Sequence, residues 1–198
     1  MPTGEEGVDE LQRARDAAEE RRLVAAAVDG SAPAFEALYR RHVARIHALC
    51  LRMTGQVATA EDCTQEAFVQ AWRNLPTLRD TAKFDAWFGK IVVNAARGSV
   101  RRRRNVMTVD IEALSMDGES HPALGRHDPG MEGLADLDAL QGAFARLSVD
   151  QRTIHALPHL EERSVADIAA MLGIPTGTAK WRLHAARTAL ERALESER

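Results

Sequence analysis

His47 and Cys50 stand three residues apart, a spacing at which two side chains on one helix turn can share a metal ion. A cysteine on an apolar helix stripe is more commonly part of a core, so we favour packing for Cys50 over metal binding. The chain has no Gly-rich phosphate loop, no catalytic motif and no fuller set of metal-ligand spacings. The sequence therefore predicts no catalytic residue, no metal site and no bound cofactor.

Residues 101–104 are four consecutive arginines at the end of "FDAWFGKIVVNAARGSVRRRR". Consecutive positions on a helix point in different directions, so the four side chains cannot all read bases. Attraction to phosphate is the role that suits Arg101, Arg102, Arg103 and Arg104, and the alternative is a solvated basic run.

The segment "GIPTGTAKWRLHAARTAL", residues 173–190, reads as a turn followed by a helix. An α-helix turns 100° per residue, so positions can be assigned to faces relative to Ala179. One face, which contains Ala179, is apolar and points inward, the opposite face is polar, and basic residues lie between them. Such a helix suits the major groove of DNA, whereas an αα-hairpin inside a bundle is the alternative. The inward residues are Leu183, Ala186 and Leu190, the outward ones Trp181, His184 and Thr188, and the flanking ones Lys180, Arg182 and Arg187.

"TAEDCTQEAFVQAWRNLP" predicts an amphipathic helix that begins near Thr59, where Asp62 completes a sequence resembling a capping box, and ends before Pro76. Its apolar stripe is Ala60, Cys63, Ala67, Ala71 and Leu75. The opposite face carries Asp62, Gln65, Glu66 and Val69, and it is either a solvated face or a protein interface.

Helical periodicity continues on both sides of one polar segment, and no alternating strand pattern occurs, so the predicted fold class is all-α. An apolar stripe of Phe35, Leu38, Tyr39, Val43, Ile46, Leu49 and Cys50 ends at Gly55, and another contains Phe84, Trp87, Phe88, Ile91 and Ala95. Ser148 with Gln151, and Ser164 with Asp167, predict two more capped helices, the second ended by Gly173 and Pro175. The second helix with its successor forms a helix-turn-helix.

Charge divides the chain into four parts, although the net charge is only -3. Residues 1–33 carry -4, 34–105 carry +7, 106–136 carry -6 and 137–198 are neutral. We predict an acidic and partly helical extension, a basic helical domain, a flexible acidic Gly- and Pro-containing linker, and a second helical domain with the helix-turn-helix. The basic block suggests a confined nucleic-acid footprint.

The chain has only two cysteines, and it contains neither an apolar run of membrane length nor a signal-peptide pattern. We therefore predict a soluble cytoplasmic protein without membrane insertion.

Three segments in order resemble the bacterial RNA polymerase sigma factors of the extracytoplasmic-function (ECF) type. "AEDCTQEAFVQAWRNL" resembles the core-polymerase-binding helix, and "FDAWFGKIVVNAARGSVRRRR" the promoter-melting and minus-ten helix. "LSVDQRTIHALPHLEERSVADIAAMLGIPTGTAKWRLHAARTAL" resembles the minus-thirty-five-binding domain. The resemblance covers about residues 34–194. It implies a non-enzymatic subunit that binds RNA polymerase core, directs it to promoters and helps open the DNA.

The resemblance also implies site residues and partners. Asp62, Gln65, Glu66 and Val69 match the face that binds the polymerase clamp region, and the loop "NLPTLRDTAKF" lies where the family holds an unstacked base. An anti-sigma factor is a further candidate partner. The candidate DNA-binding residues are Lys90, Asn94, Arg97, Arg101, Arg102, Arg103, Arg104, Thr176, Thr178, Lys180, Trp181, Arg182, His184 and Arg187.

Three residues depart from the family pattern: Gly98 replaces Asp, Trp181 replaces a small polar residue, and Pro158 replaces a basic or aromatic one. We expect Pro158 to shorten or kink its helix. We expect the helix to continue through Gly98, with a close contact at that glycine. Two other functions remain open: a helix-turn-helix regulator that is not a polymerase subunit, and a helical adaptor that acts only through protein contacts.

Overall fold

A computed structural model describes residues 4–111, 142–144, 146–159 and 163–195. Within these ranges the secondary structure is helical and no strand occurs, which confirms the predicted all-α class. No helix in the same ranges is both long and apolar enough to cross a membrane. The helices are α1 Gly4–Val28, α2 Ala32–Thr54, α3 Val57–Asn74, α4 Phe84–Ile111, α5 Val149–Ala156, α6 Val165–Leu172 and α7 Thr176–Glu195, with 3₁₀ turns at Leu75–Thr77, Thr81–Lys83 and Leu157–His159.

The connection between α2 and α3 shows one local prediction confirmed and one wrong. Gly55 ends α2 with φ of +76°, a left-handed conformation that glycine adopts without steric cost. The predicted capping box at Thr59 is wrong, because α3 already begins at Val57 after the extended residue Gln56. Thr59 lies inside the first turn, where its hydroxyl donates to Gln56 Oε1 over 3.3 Å.

The first core forms between α2, α3 and α4. The predicted stripe of α3 is correct, since all five of its residues are buried. On α2, Leu38, Ile46, Leu49 and Cys50 are buried, whereas Tyr39 lies at the edge and remains exposed. Several aromatic rings fill the space between the helices, including Phe68 and Phe88, whose ring centroids are 5.1 Å apart.

The acidic N-terminal helix α1 packs on this core and extends the helical unit beyond the predicted start at residue 34. Val24 and Ala27 are buried against it. Glu20 Oε1 lies 2.9 Å from Nε2 of the buried His42. This contact is the largest cause that lowers the pKa of Glu20, assisted by the charges of Arg41 and Arg45.

Helix α4 is longer than predicted and passes the expected boundary at residue 105. Its last residues, 106–111, take up the start of the predicted acidic linker, and the remainder of that linker, 112–136, lies outside the described residues. The helix continues through Gly98 as expected, but the close contact expected there is wrong. A Cβ atom at Gly98 would meet only Arg102 Nη1, at 3.4 Å.

The C-terminal unit begins its described part near residue 142. Both predicted capping boxes, Ser148 with Gln151 and Ser164 with Asp167, are confirmed by reciprocal side-chain and backbone hydrogen bonds. Gly173 ends α6 with φ of +64°, and α7 follows to complete the helix-turn-helix. Pro158 lies in the 3₁₀ turn directly after α5, as expected of a residue that shortens its helix.

Candidate protein and nucleic-acid interfaces

The polar face of α3 points away from the core, because the small residues of the opposite stripe are buried. Asp62, Gln65 and Val69 are exposed and Glu66 is half-buried. The Glu66 carboxylate accepts a hydrogen bond from Gln70 Nε2 over 2.6 Å. The structure thus brings the four predicted residues together on one accessible helix face.

An apolar groove runs beside this face, between α2 and α3, and it was not predicted. It is an open groove of about 640 Å³, lined by Tyr39, Val43, Phe68 and Val69, with polar residues such as Glu61 at its edge. Tyr39, Val69 and Trp72 are 42%, 38% and 41% exposed, respectively. The sequence signal for the groove is weak, because Tyr39 and Trp72 stand at the edges of otherwise buried stripes.

The loop between α3 and α4 is anchored at two points. Leu75 and Leu78 are buried, while the loop residues between and after them are mostly exposed. The Asp80 carboxylate accepts from the backbone N–H of Ala82 over 3.1 Å and pairs with Lys83 at 3.2 Å. The arrangement holds an exposed polar loop at the start of α4.

The predicted DNA-binding residues of α4 form two groups along the helix, and the first consists of Lys90, Asn94 and Arg97. Lys90 and Asn94 are exposed, but Arg97 is held in an ion pair, with its Nε 2.8 Å from Asp150 Oδ1 of α5.

The arginine run after them diverges, as the helical geometry requires. Arg101, Arg102 and Arg103 are exposed, with Arg102 Nη2 donating to Ser99 Oγ at 3.1 Å and Arg103 Nη1 to Thr59 Oγ1 at 3.4 Å. The side chain of Arg104 lies outside the described residues. The run therefore offers positive charge in several directions and suits phosphate contacts.

Helix α7 presents its outer face to solvent. Ala179 and Ala186 are buried, whereas Trp181 is 68% exposed. The predicted contact residues are distributed around this face: Thr176, Lys180, Trp181, His184 and Arg187 are exposed, and Thr178 and Arg182 are half-buried.

Cys50 does not point towards a ligand site with His47, which is half-buried. Its sulfur lies 2.8 Å from that of Cys63 in the core. Among the described residues, no group of three or more His, Cys, Asp or Glu side chains is arranged to hold a metal ion.

Comparison with known proteins identifies related sequences over both helical units. The family model for Sigma-70 region 2 matches residues 38–106, and that for Sigma-70 region 4 matches residues 137–190. ECF RNA polymerase sigma factor SigM of Mycobacterium tuberculosis is 34% identical over 87% of this chain and 83% of the relative. SigW of Bacillus subtilis, also named an ECF sigma factor, is 29% identical over 83% of this chain and 91% of the relative.

Two solved structures share the fold. CnrH in complex with the cytosolic domain of CnrY aligns with a TM-score of 0.63 at 23% identity, covering 91% of this chain and 99% of that one. The sigma factor RpoE of Bartonella quintana, in complex with the anti-sigma factor NepR, aligns with a TM-score of 0.61 at 25% identity, covering 83% and 98%.

Proposed function

We propose how this chain, which belongs to the ECF RNA polymerase sigma factors, divides promoter recognition among its helices. As a sigma factor it binds RNA polymerase core, directs it to promoter DNA and supports transcription initiation. The observation that supports the proposed division is that one helical unit exposes both an acidic-apolar face on α3 and a basic face on α4. A regulator that only blocks or recruits polymerase needs neither face, so this alternative is not favoured.

The α3 face and the adjoining groove are the proposed polymerase site. Tyr39, Val69 and Trp72 leave an apolar strip exposed, and such strips on soluble proteins commonly mark partner sites. Glu61 lines the groove, and Asp62 and Glu66 on the same helix add further negative charge. A helix of the polymerase clamp with apolar side chains in the groove and basic side chains at its edge fits this chemistry.

The α4 face and the loop before it are the proposed site for the opened DNA strand. Lys90, Asn94 and Arg97 recur on one side of the helix, and the arginine run extends the positive charge. A strand released from the duplex exposes base edges and phosphates together. Polar side chains near a loop, followed by arginines, suit that combination.

Helix α7 is the proposed reader of the upstream duplex. Its exposed face combines Lys180, His184 and Arg187 with the large ring of Trp181. In a helix-turn-helix the second helix enters the major groove, where such side chains reach bases and phosphates.

Membership of the family supports proposals on further partners and on location. Sigma factors are generally not enzymes, and we propose no reaction for this chain. RpoE is held by an anti-sigma factor in its solved structure, and we propose a partner of that class here as well. We place its action in the cytoplasm, where bacterial RNA polymerase transcribes.

Reconstituted transcription tests the proposal. Purified RNA polymerase core, this protein and fragmented genomic DNA should yield transcripts whose 5′ ends share upstream sequences, and omission of the protein should remove them. Asp62→Arg should weaken core binding and transcription together. Asp29→Arg, the same change at an exposed turn outside α3, should leave both unchanged. Transcripts that do not depend on the protein, or equal effects of the two variants, would contradict the assignment.

A further inference from the structure

We propose that Trp181 reads a thymine of the upstream duplex, by packing its indole ring against the 5-methyl group of that base in the major groove. Among the described residues, Trp181 is the most exposed large apolar side chain, at 68%. The inference rests on the proposed role of α7 as the reader of the upstream duplex. It goes further than that role, because it names one residue, one base and the chemical group that joins them.

Trp181 lies in the second turn of α7, at the centre of the outer face. A helix turns about 100° per residue, so Lys180 and Arg182 lie about 100° to either side of the ring, and Arg187 lies on the Lys180 side. Lys180 and Arg187 are exposed and Arg182 is half-buried. Basic side chains on both flanks suit the two phosphate backbones that border a groove, and they direct the ring to the base pairs between.

The surface around the ring leaves room for a base pair. Gly177 is exposed and lies one turn before Trp181 on the same face, and an added Cβ there would meet open space. Residues 176–190 also contain no Asp or Glu that would repel phosphate. The N-terminal turns of a recognition helix approach the bases most closely. The missing side chain at position 177 therefore lets the edge of a base pair reach the indole.

The chemistry of the indole selects thymine among the four bases. In the major groove, thymine alone presents an apolar group, whereas adenine and cytosine present amino groups and guanine presents two acceptors. The indole has a large apolar face and one N–H donor, but no acceptor for an amino group. Adenine or cytosine beneath the ring would lose a hydrogen bond to water without a replacement. Contact with the thymine methyl group instead removes apolar surface of both partners from water.

Selection from a promoter library with randomised upstream bases locates the contact. Polymerase core saturated with the wild-type protein should enrich thymine at one upstream position. Trp181→Ser should lose that preference and keep the preferences at other positions. Trp181→Phe is the matched variant, because it retains an aromatic face and lacks the N–H donor, and it should keep the thymine preference. Loss of the preference in Trp181→Phe, or its retention in Trp181→Ser, would overturn the inference.

Removal of the methyl group alone tests the contact itself, because deoxyuridine differs from thymidine only in that group. Deoxyuridine at the selected position should weaken promoter binding by the wild-type holoenzyme about three- to fivefold, the effect of losing one buried methyl group. The same change should leave binding by the Trp181→Ser holoenzyme unaltered. Deoxyuridine at each remaining upstream thymine is the control and should affect both holoenzymes equally. Equal weakening of both at the selected position would overturn the inference.

Other roles of Trp181 give different results in the same experiments. If Trp181 contacted polymerase, Trp181→Ser would weaken binding to core without DNA. If its N–H donated to a phosphate, Trp181→Ser would change no base preference. Either result would overturn the inference. Failure of the proposed role of α7 is distinguishable, because no holoenzyme, that with wild-type protein included, would then enrich any upstream base.

Discussion

The sulfur atoms of Cys50 and Cys63 lie 2.8 Å apart across the contact between α2 and α3, and both side chains are fully buried. Hydrogen bonding to Cys63 lowers the pKa of Cys50, and hydrogen bonding to Cys50 together with burial raises the pKa of Cys63. The pair fills the core at the point where α4 also packs, since Cys63 Sγ is 4.0 Å from the carbonyl oxygen of Val92.

Burial predicts that these thiols are inert in the folded protein. A thiol reagent of the aromatic disulfide type should react slowly with the native protein. After denaturation it should react rapidly with both thiols. Cys63→Ala should lower the free energy of unfolding by about 1–2 kcal/mol, because it removes a packed sulfur and leaves Cys50 without its partner. Rapid native labelling of either thiol would show that the α2–α3 contact opens readily.

The apolar part of the proposed polymerase site offers a matched comparison on one helix. Val69 and Val57 are both exposed valines of α3, at 38% and 48%, but only Val69 adjoins the groove between α2 and α3. We expect Val69→Ser to weaken core polymerase binding by about tenfold, the effect of losing a well-placed interface side chain. Val57→Ser should have little effect. Titration of labelled protein with core polymerase measures both, and equal affinities would remove Val69 from the interface.

Trp181 is expected to act in binding and to contribute little to folding. Since 68% of the side chain is exposed, Trp181→Ala should change the melting temperature by no more than a degree or two. The same variant should weaken transcription from promoters that depend on the upstream element. Trp87→Ala is the control, because Trp87 is half-buried and its ring is tilted against that of Phe84, with the centroids 5.9 Å apart. That variant should melt earlier, and an equal loss for Trp181→Ala would make Trp181 a packing residue.

The contact between Glu20 and His42 predicts an acid-sensitive attachment of α1. The pKa of Glu20 is lowered in the folded protein, so its ionised form contributes stability above the ordinary value of 4.5 and loses that contribution as the pH falls through the lowered pKa. Glu20→Gln should lower the free energy of unfolding by about 1 kcal/mol at neutral pH and by less below pH 4. Thermal unfolding from pH 3 to 7 measures this difference. A cost that does not change with pH would mean that packing, and not charge, attaches Glu20.

The sequence predicts those parts of the fold that depend on neighbours along the chain. Ser148 with Gln151 and Ser164 with Asp167 form their capping boxes within one helix turn, so no distant residue decides them. The buried stripe of α3 likewise follows from helical spacing alone. These features needed no knowledge of the tertiary structure.

Features that depend on distant residues could not be predicted in this way. Met171 meets Gly89 across 82 positions, and nothing near either residue indicates the other. The capping box predicted at Thr59 is wrong because the left-handed Gly55 reverses the chain within two residues, so that α3 begins at Val57 and already contains Thr59. Most of the predicted site residues lie on exposed helix faces, as their spacing predicts, but the groove beside Val69 exists only once α2 packs against α3.

Gly98 has room for a side chain, in place of the close contact that the sequence predicts. The helix is continuous there, Gly98 is not among the glycines with positive φ, and an added Cβ meets no atom closer than 3.4 Å. Gly98→Ala should therefore stabilise the protein by up to about 1 kcal/mol, because alanine loses less conformational entropy in a helix. Gly89→Ala is the control, since Met171 must move to admit its methyl group, and it should not stabilise.

Gly98→Asp, which restores the residue usual in the family, should be tolerated for a related reason. Its carboxylate would stand four residues before Arg102, whose Nη1 already lies 3.4 Å from the position of an added Cβ, so an ion pair on the helix surface can form. We expect its stability to remain within about 0.5 kcal/mol of wild type, since an exposed pair of this kind offsets the lower helix propensity of Asp. Open-complex formation should stay normal at low salt. Chemical denaturation measures the stability of the variant, and footprinting of the melted promoter measures open-complex formation. A variant that folds but fails to melt DNA would show that a negative charge at position 98 repels the strand held by α4.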